Sequence, residues 1–212
     1  MFKFFCHLTI VTTFLLFSIS SSKGHPHMWI DLKTNIILND EGHASSIQQE
    51  WLFGDFFSAA LINDINKQNI NLNDGLKKEI SEIMNNLQNY NYFTIVNVDG
   101  KSTELGKVEK FDIDIIGTQV LLKFILPILK PVNFKKKHLT FSIFDPTYYI
   151  EMLHDEEEKI VFLGKQPVGC SAKIISPNPS EEAIILSKSS TLDTNPNKSI
   201  GKLFAEIIDV SC

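Results

Sequence analysis

The residues best suited to chemistry are two histidines in the sequence His25-Pro26-His27. If the chain is cut after Gly24, the α-amine and ring Nδ1 of His25 can chelate one ion, and His27 adds a second imidazole. Nitrogen donors of this kind suit divalent ions such as Zn²⁺, Ni²⁺ and Cu²⁺. Pro26 has no amide proton to lose, which blocks the square-planar amino-terminal site that uses deprotonated backbone amides. The pattern predicts a metal site of ring and amine nitrogens, the alternative being a polar extension.

Two carboxylates are candidates to complete this site. Apolar and polar residues alternate from Met28 to Leu38, which predicts a half-buried strand with His27 and Asp31 on one face. The register of the predicted hairpin then brings Glu50 roughly opposite Asp31. Either carboxylate would bind the ion or orient a ligand histidine. The alternative is that both are solvated polar residues on an exposed sheet face.

The beginning of the chain predicts export. Lys3 is followed by an apolar stretch from Leu8 to Ile19 and by small residues up to Gly24, which is the pattern of a secretory signal peptide. The apolar stretch is too short to span a bilayer. We therefore expect residues 1–24 to be removed and residues 25–212 to form a single domain outside the cytoplasm.

Export also bears on the cysteines. Two cysteines follow the predicted cut, Cys170 and Cys212. In an oxidising compartment two cysteines are expected to form a disulfide, which here would fasten the carboxyl terminus. The alternative is that they are a pair of thiolate metal ligands.

Composition and motifs exclude several functions. The chain has 20 basic residues, all of them lysines, and a formal net charge of −5, so nucleic-acid binding is not expected. It has no phosphate-binding glycine loop and no Gly-x-Ser-x-Gly motif, and both remaining cysteines are expected to be bonded. The Asn-rich stretch from Asp64 to Asn73 lacks the alternating carboxylates of a calcium loop. We therefore predict that the protein is not an enzyme.

A second local signature is the segment from Asp145 to Tyr149. Asp-Pro-Thr favours a turn, and two consecutive tyrosines in extended backbone would place one ring on each face. The segment predicts a corner between two strands. His154 follows with a run of acidic residues, and we expect this run to face solvent, the alternative being a secondary metal-rich patch.

The pattern of elements predicts an α+β fold, mainly an antiparallel sheet or sandwich with a two-helix block packed on one side. A hairpin is expected first, followed by one helix from Phe56 to Ile65 and a second that begins at a cap on Asn73 or Asp74. Strands are expected from Tyr92 onward. Ser180 is expected to cap a short helix, and the last segment, Leu203 to Val210, is either a strand or a helix.

Several segments of the chain together are typical of one family: the stretch from His25 to Asp31, Trp51, Phe53 and Asp55, Tyr90 to Phe93, Asp145 to Tyr149, and Gly169, Cys170 and Cys212. On these residues the chain resembles the DUF1007 family over essentially all of the expected mature protein. That resemblance implies a periplasmic protein of an uncharacterised transport system, associated with inner-membrane permeases for divalent metals of the nickel/cobalt type and with zinc uptake. The family often carries an acidic loop after the first helix, which is degraded here.

Three functions follow as hypotheses. The first is a periplasmic metal-binding accessory protein, which hands zinc, or nickel or cobalt, to an inner-membrane permease or buffers it. The second is an interaction protein that contacts a membrane transporter without binding metal. The third is an oxidative copper enzyme, because an amino-terminal histidine with a second histidine is how copper monooxygenases build their site.

Overall fold

The computed structural model describes residues 26–165, 168–188 and 199–212. His25 and the predicted leader, residues 1–24, lie outside the described residues. The described part contains two sheets and three α-helices. The strands are β1 (Met28–Leu38), β2 (Ala44–Phe53), β3 (Thr94–Val98), β4 (Lys101–Ser102), β5 (Phe111–Ile116), β6 (Gln119–Val132), β7 (Leu139–Ile143), β8 (Ile150–His154), β9 (Val161–Leu163), β10 (Ser171–Ile175) and β11 (Ile207–Ser211). The helices are α1 (Asp55–Lys67), α2 (Leu72–Leu87) and α3 (Glu181–Ser187), with 3-10 turns at Gln88–Phe93 and Ile200–Phe204.

The two sheets share one hydrophobic core. The first has the order β5-β6-β2-β1-β8, with β9 also paired to β1, and the second has the order β10-β11-β7-β3-β4. All pairs in the second sheet are antiparallel, whereas β1 pairs in parallel with β8 and β9. Side chains from both sheets and from α1 and α2 join one buried cluster. The predicted α+β fold, mainly antiparallel with a two-helix block, is confirmed.

The first hairpin follows the predicted alternation. Ile30 and Leu32 are buried, whereas Trp29, Asp31 and Lys33 are exposed. The pairing register differs from the prediction by two residues, because Glu50 lies opposite Lys33 and Leu52 lies opposite Asp31. This register is set by the turn, in which the Asn39 side chain accepts the N–H groups of Glu41 and His43, and by an irregularity after Ile37.

The two-helix block lies where the sequence predicts it, but its second helix begins earlier. Asn71 is the N-cap of α2, and its side chain accepts the N–H groups of Asn73 at 2.9 Å and Asp74 at 3.4 Å. The helix buries Leu76 and Ile80 in the core. A cap on Asn73 or Asp74 is therefore wrong by two or three residues. An Asn side chain satisfies the otherwise unbonded N–H groups of the first turn only from the residue that precedes them.

Replacing Asn71 with alanine should lower the free energy of unfolding by about 1 kcal/mol, because two first-turn N–H groups lose their side-chain acceptor. For a chain of this size the melting temperature should fall by roughly 2–4 °C. Asn73→Ala is the matched control, since that side chain is exposed and does not cap the helix. Equal melting temperatures for the two variants would contradict the assignment of the cap.

The carboxyl-terminal part is fastened as predicted. Cys170 and Cys212 form a disulfide, and the strands they adjoin pair from Ser171 opposite Ser211 onward. The last segment is the strand β11, which decides between the two possibilities that the sequence left open. A disulfide is typical of proteins outside the cytoplasm, and the bond removes the alternative of two thiolate metal ligands. Within the residues described, no helix is long and apolar enough to cross a membrane.

Candidate functional site

A groove of about 290 Å³ opens where the described chain enters the fold. Three separate segments form it: the residues around the start of β1, the first turns of α1, and the corner before β8. We call it the amino-terminal groove. It is lined by His27, Met28, Trp29, Gly54, Asp55, Phe56, Phe57, Ala60 and Tyr149.

Backbone hydrogen bonds hold the three segments together. The N–H of His27 donates to the carbonyl of Tyr149 at 2.9 Å, and the N–H of Gly54 donates to the carbonyl of Trp29 at 2.9 Å. Gly54 is also the N-cap of α1, and a Cβ there would lie 3.3 Å from that same carbonyl oxygen. These bonds join backbone atoms. The position of the groove is therefore determined by the pairing of β1 and by the place where α1 begins.

The corner is built around the buried carboxylate of Asp145. This carboxylate accepts the N–H of Thr147 at 2.9 Å, the Thr147 hydroxyl and the N–H of Ile150 at 3.1 Å. Tyr148 lies at a φ of +58° and is buried, whereas Tyr149 points outward. The predicted corner is present with one ring buried and one exposed, although Tyr148 is left-handed rather than extended, and the corner places Tyr149 at the groove.

The inner tyrosine fastens the corner to the rest of the fold. The Tyr148 ring stacks on Phe204 with centroids 4.0 Å apart, and its hydroxyl donates to Glu151 at 2.9 Å. Burial, together with this carboxylate, raises the pKa of Tyr148, so the hydroxyl remains a donor. Gly201 packs on the backbone of Asp145, where a Cβ would overlap the carbonyl oxygen.

The groove is lined mainly by aromatic rings, together with two polar side chains. The exposed fractions are 50% for Trp29, 86% for Phe56 and 51% for Tyr149. The His27 ring lies 5.0 Å from the Tyr149 ring, and the Asp55 carboxylate accepts the hydroxyl of Thr118 at 2.8 Å. No lysine is among the lining residues described. The groove therefore presents one imidazole, one carboxylate and several ring faces.

The structure separates the predicted metal ligands. His27 lines the amino-terminal groove, whereas Asp31 and Glu50 line a second groove with Lys33. Four residues along a strand span about 13 Å, too far for His27 and Asp31 to bind one ion directly. Among the described residues no three His, Cys, Asp or Glu side chains are grouped to hold a metal. His25 lies outside the described part, so a site that includes it stays a prediction.

A buried polar network was missed by sequence reasoning. The ring Nδ1 of His154 contacts Glu206 at 2.7 Å, and its Nε2 contacts the Thr34 hydroxyl at 2.9 Å. Glu206 also accepts the backbone N–H of His154 at 2.9 Å. The acidic residues 155–157 are exposed as expected, whereas His154 itself is buried, because it follows Met152 on the inward face of β8. The spacing of two residues between Met152 and His154 is the sequence signal that could have placed His154 on the buried face.

The segments quoted for the family resemblance have distinct structural roles. Trp51 and Phe53 are buried in the core, the residues around Tyr92 form a 3-10 turn, and Cys170 and Cys212 are bonded. Of the other quoted residues, those from His27 to Trp29, Asp55 and Tyr149 meet at the amino-terminal groove. Sequence reasoning did not predict this meeting, which depends on the parallel pairing of β1 with β8.

Comparison with known proteins shows the family of the chain. The chain is 25% identical, over 195 residues, to an uncharacterised protein of Haemophilus influenzae, and the match covers 89% of this chain and 91% of that protein. The model of the family described as a protein of unknown function, DUF1007, matches residues 10–212. The chain therefore belongs to the DUF1007 family.

Proposed function

We propose that the protein is a periplasmic accessory protein that binds a divalent metal ion, zinc or else nickel or cobalt, and supplies it to an inner-membrane permease without catalysing a reaction. One observation carries the proposal. An imidazole, a carboxylate and a phenol from three distant segments, His27, Asp55 and Tyr149, line one open groove at the start of the fold.

The donor types support a borderline divalent ion. Imidazole nitrogen and carboxylate oxygen are ordinary zinc ligands. The described residues contribute the ring of His27 and the carboxylate of Asp55. In the proposal the α-amine and ring of His25, two residues earlier, complete the set. A reference α-amine pKa of about 7.7–8.0 means that zinc affinity should weaken on acidification, because the amine must lose its proton to bind.

The mature protein beginning at His25 should bind one zinc ion, and His27→Ala should weaken that binding by at least about tenfold, since it removes a ligand. Competition titration with a fluorescent zinc chelator measures the affinity. A form with one extra residue before His25 should be weakened as well. His43→Ala is the matched control, because it removes an imidazole from a turn outside the groove. Equal zinc affinity for the His27 and His43 variants would refute the proposal.

The second candidate is an interaction protein that contacts a transporter without metal. The exposed rings of Trp29, Phe56 and Tyr149 favour it, because aromatic side chains are enriched at protein interfaces. This candidate would replace the first if His25→Ala combined with His27→Ala left metal accumulation in cells and transporter binding unchanged.

A further inference from the structure

We propose that the amino-terminal groove also binds a small organic cation, an alkylammonium compound, through the ring faces of Trp29, Phe56 and Tyr149. The ligand class is different from the metal ion proposed above, and the inference does not depend on that ion. It rests on three properties of the groove: its aromatic lining, the sign of its charge and its volume.

The wall of the groove consists mainly of aromatic rings. Trp29, Phe56 and Tyr149 each expose half of their surface or more. Removing aromatic rings of this size from water would be energetically favourable. They come from β1, α1 and the corner, which the backbone hydrogen bonds of Trp29 and Tyr149 hold together. A cation over the face of Trp, Tyr or Phe is attracted by the ring quadrupole, and several rings together recognise quaternary ammonium groups.

The charge at the groove favours a cation over an anion. Asp55 contributes one full negative charge, and its bond to the Thr118 hydroxyl holds the carboxylate in place. The amino-terminal end of α1 opposes it with about half a positive charge, so with a neutral His27 ring the described lining residues sum to a negative charge. No lysine is among the lining residues described. An anionic ligand would meet this carboxylate without a lysine to pair with.

The size and polarity of the groove point to an organic ligand with an apolar body. A volume of about 290 Å³ lies near the lower end of the range in which proteins bind small organic molecules. A sugar also stacks on aromatic rings, but it needs many hydrogen-bonding side chains. The only charged or imidazole-bearing groups among the lining residues are His27 and Asp55. An ammonium group with methyl or methylene substituents uses both the ring faces and the carboxylate.

Choline and its uncharged carbon isostere, 3,3-dimethylbutan-1-ol, provide the test on protein treated with EDTA. We expect choline to bind at least about tenfold more tightly than the isostere, which has the same shape without the charge. Tryptophan fluorescence reports binding, because the chain has two tryptophans and Trp51 is only 1% exposed. Calorimetry then compares the variants Trp29→Ala and Asp55→Asn, which should each weaken choline binding several-fold. The asparagine keeps an oxygen that accepts from Thr118.

Tyr90→Ala is the control variant, because Tyr90 is an exposed ring outside the groove and its loss should leave choline binding unchanged. Thermal unfolding confirms that each variant is folded. Equal binding of choline and the isostere, or binding of neither, would overturn the proposal. Zinc titration of Trp29→Ala distinguishes this proposal from the metal-binding proposal. In this variant zinc affinity should be unchanged, whereas choline affinity should fall.

Discussion

Replacing Glu206 with alanine should lower the free energy of unfolding by about 2–5 kcal/mol, because two buried donors of His154 lose their acceptor and each unsatisfied group costs about 1–3 kcal/mol. The carboxylate accepts two hydrogen bonds from His154, one from its backbone N–H at 2.9 Å and one from its ring Nδ1 at 2.7 Å. Both residues are buried, so water cannot replace the lost acceptor. Urea unfolding measures the effect.

Further variants show whether the loss comes from the network. Glu156→Ala removes an exposed carboxylate close in sequence to His154 and should change stability by less than about 0.5 kcal/mol. Glu206→Gln keeps an amide oxygen as acceptor and should cost less than the alanine variant. Adding His154→Leu to Glu206→Ala should cost less than His154→Leu costs in the parent protein, because the ring has then already lost its carboxylate partner. Similar losses for Glu206→Ala and Glu156→Ala would contradict the assigned role of the network.

Removing the disulfide should lower the free energy of unfolding by about 4 kcal/mol in the chain-entropy treatment. Cys170 and Cys212 are 42 residues apart in sequence, and the bond keeps the intervening chain, with α3, from sampling many unfolded conformations. The double variant with serine at both positions, compared with the parent by urea unfolding, measures the effect.

Reduction gives an independent measurement of the same bond. Dithiothreitol should lower the stability of the parent protein to that of the double serine variant, and it should leave the double variant unchanged. A parent protein that is equally stable with and without reductant would show that the bond does not contribute to stability.

Local elements were largely predictable from the sequence because their signals are local. The alternation in β1 identified the inward residues Ile30 and Leu32, and apolar spacing identified the helix that buries Leu76 and Ile80. The strand predicted from Tyr92 begins later, at Thr94, because residues 91–93 have positive φ values. Local pattern therefore gives the type of an element more reliably than its ends.

The candidate site was predictable only in part. His27 and the corner at Tyr149 were singled out, but nothing local indicates that β8 lies beside β1 in parallel. Asp31 was correctly assigned to the exposed face, yet sharing a face does not bring residues together along a strand. The face of a strand follows from a period of two, whereas distance within the fold follows from long-range pairing.

The parallel pairing of β1 with β8 and β9 also has a kinetic consequence. Leu32 lies opposite His154, and Asn35 lies opposite Val161. The ribosome therefore synthesises these partners of β1 long after β1 itself. An emerging chain therefore cannot complete the first sheet until most of its length has been synthesised. Such long-range pairing slows folding, because a large loop must close before the contacts form. A chain whose first sheet stays incomplete during synthesis can be threaded through a narrow membrane channel before β1 finds its parallel partners β8 and β9.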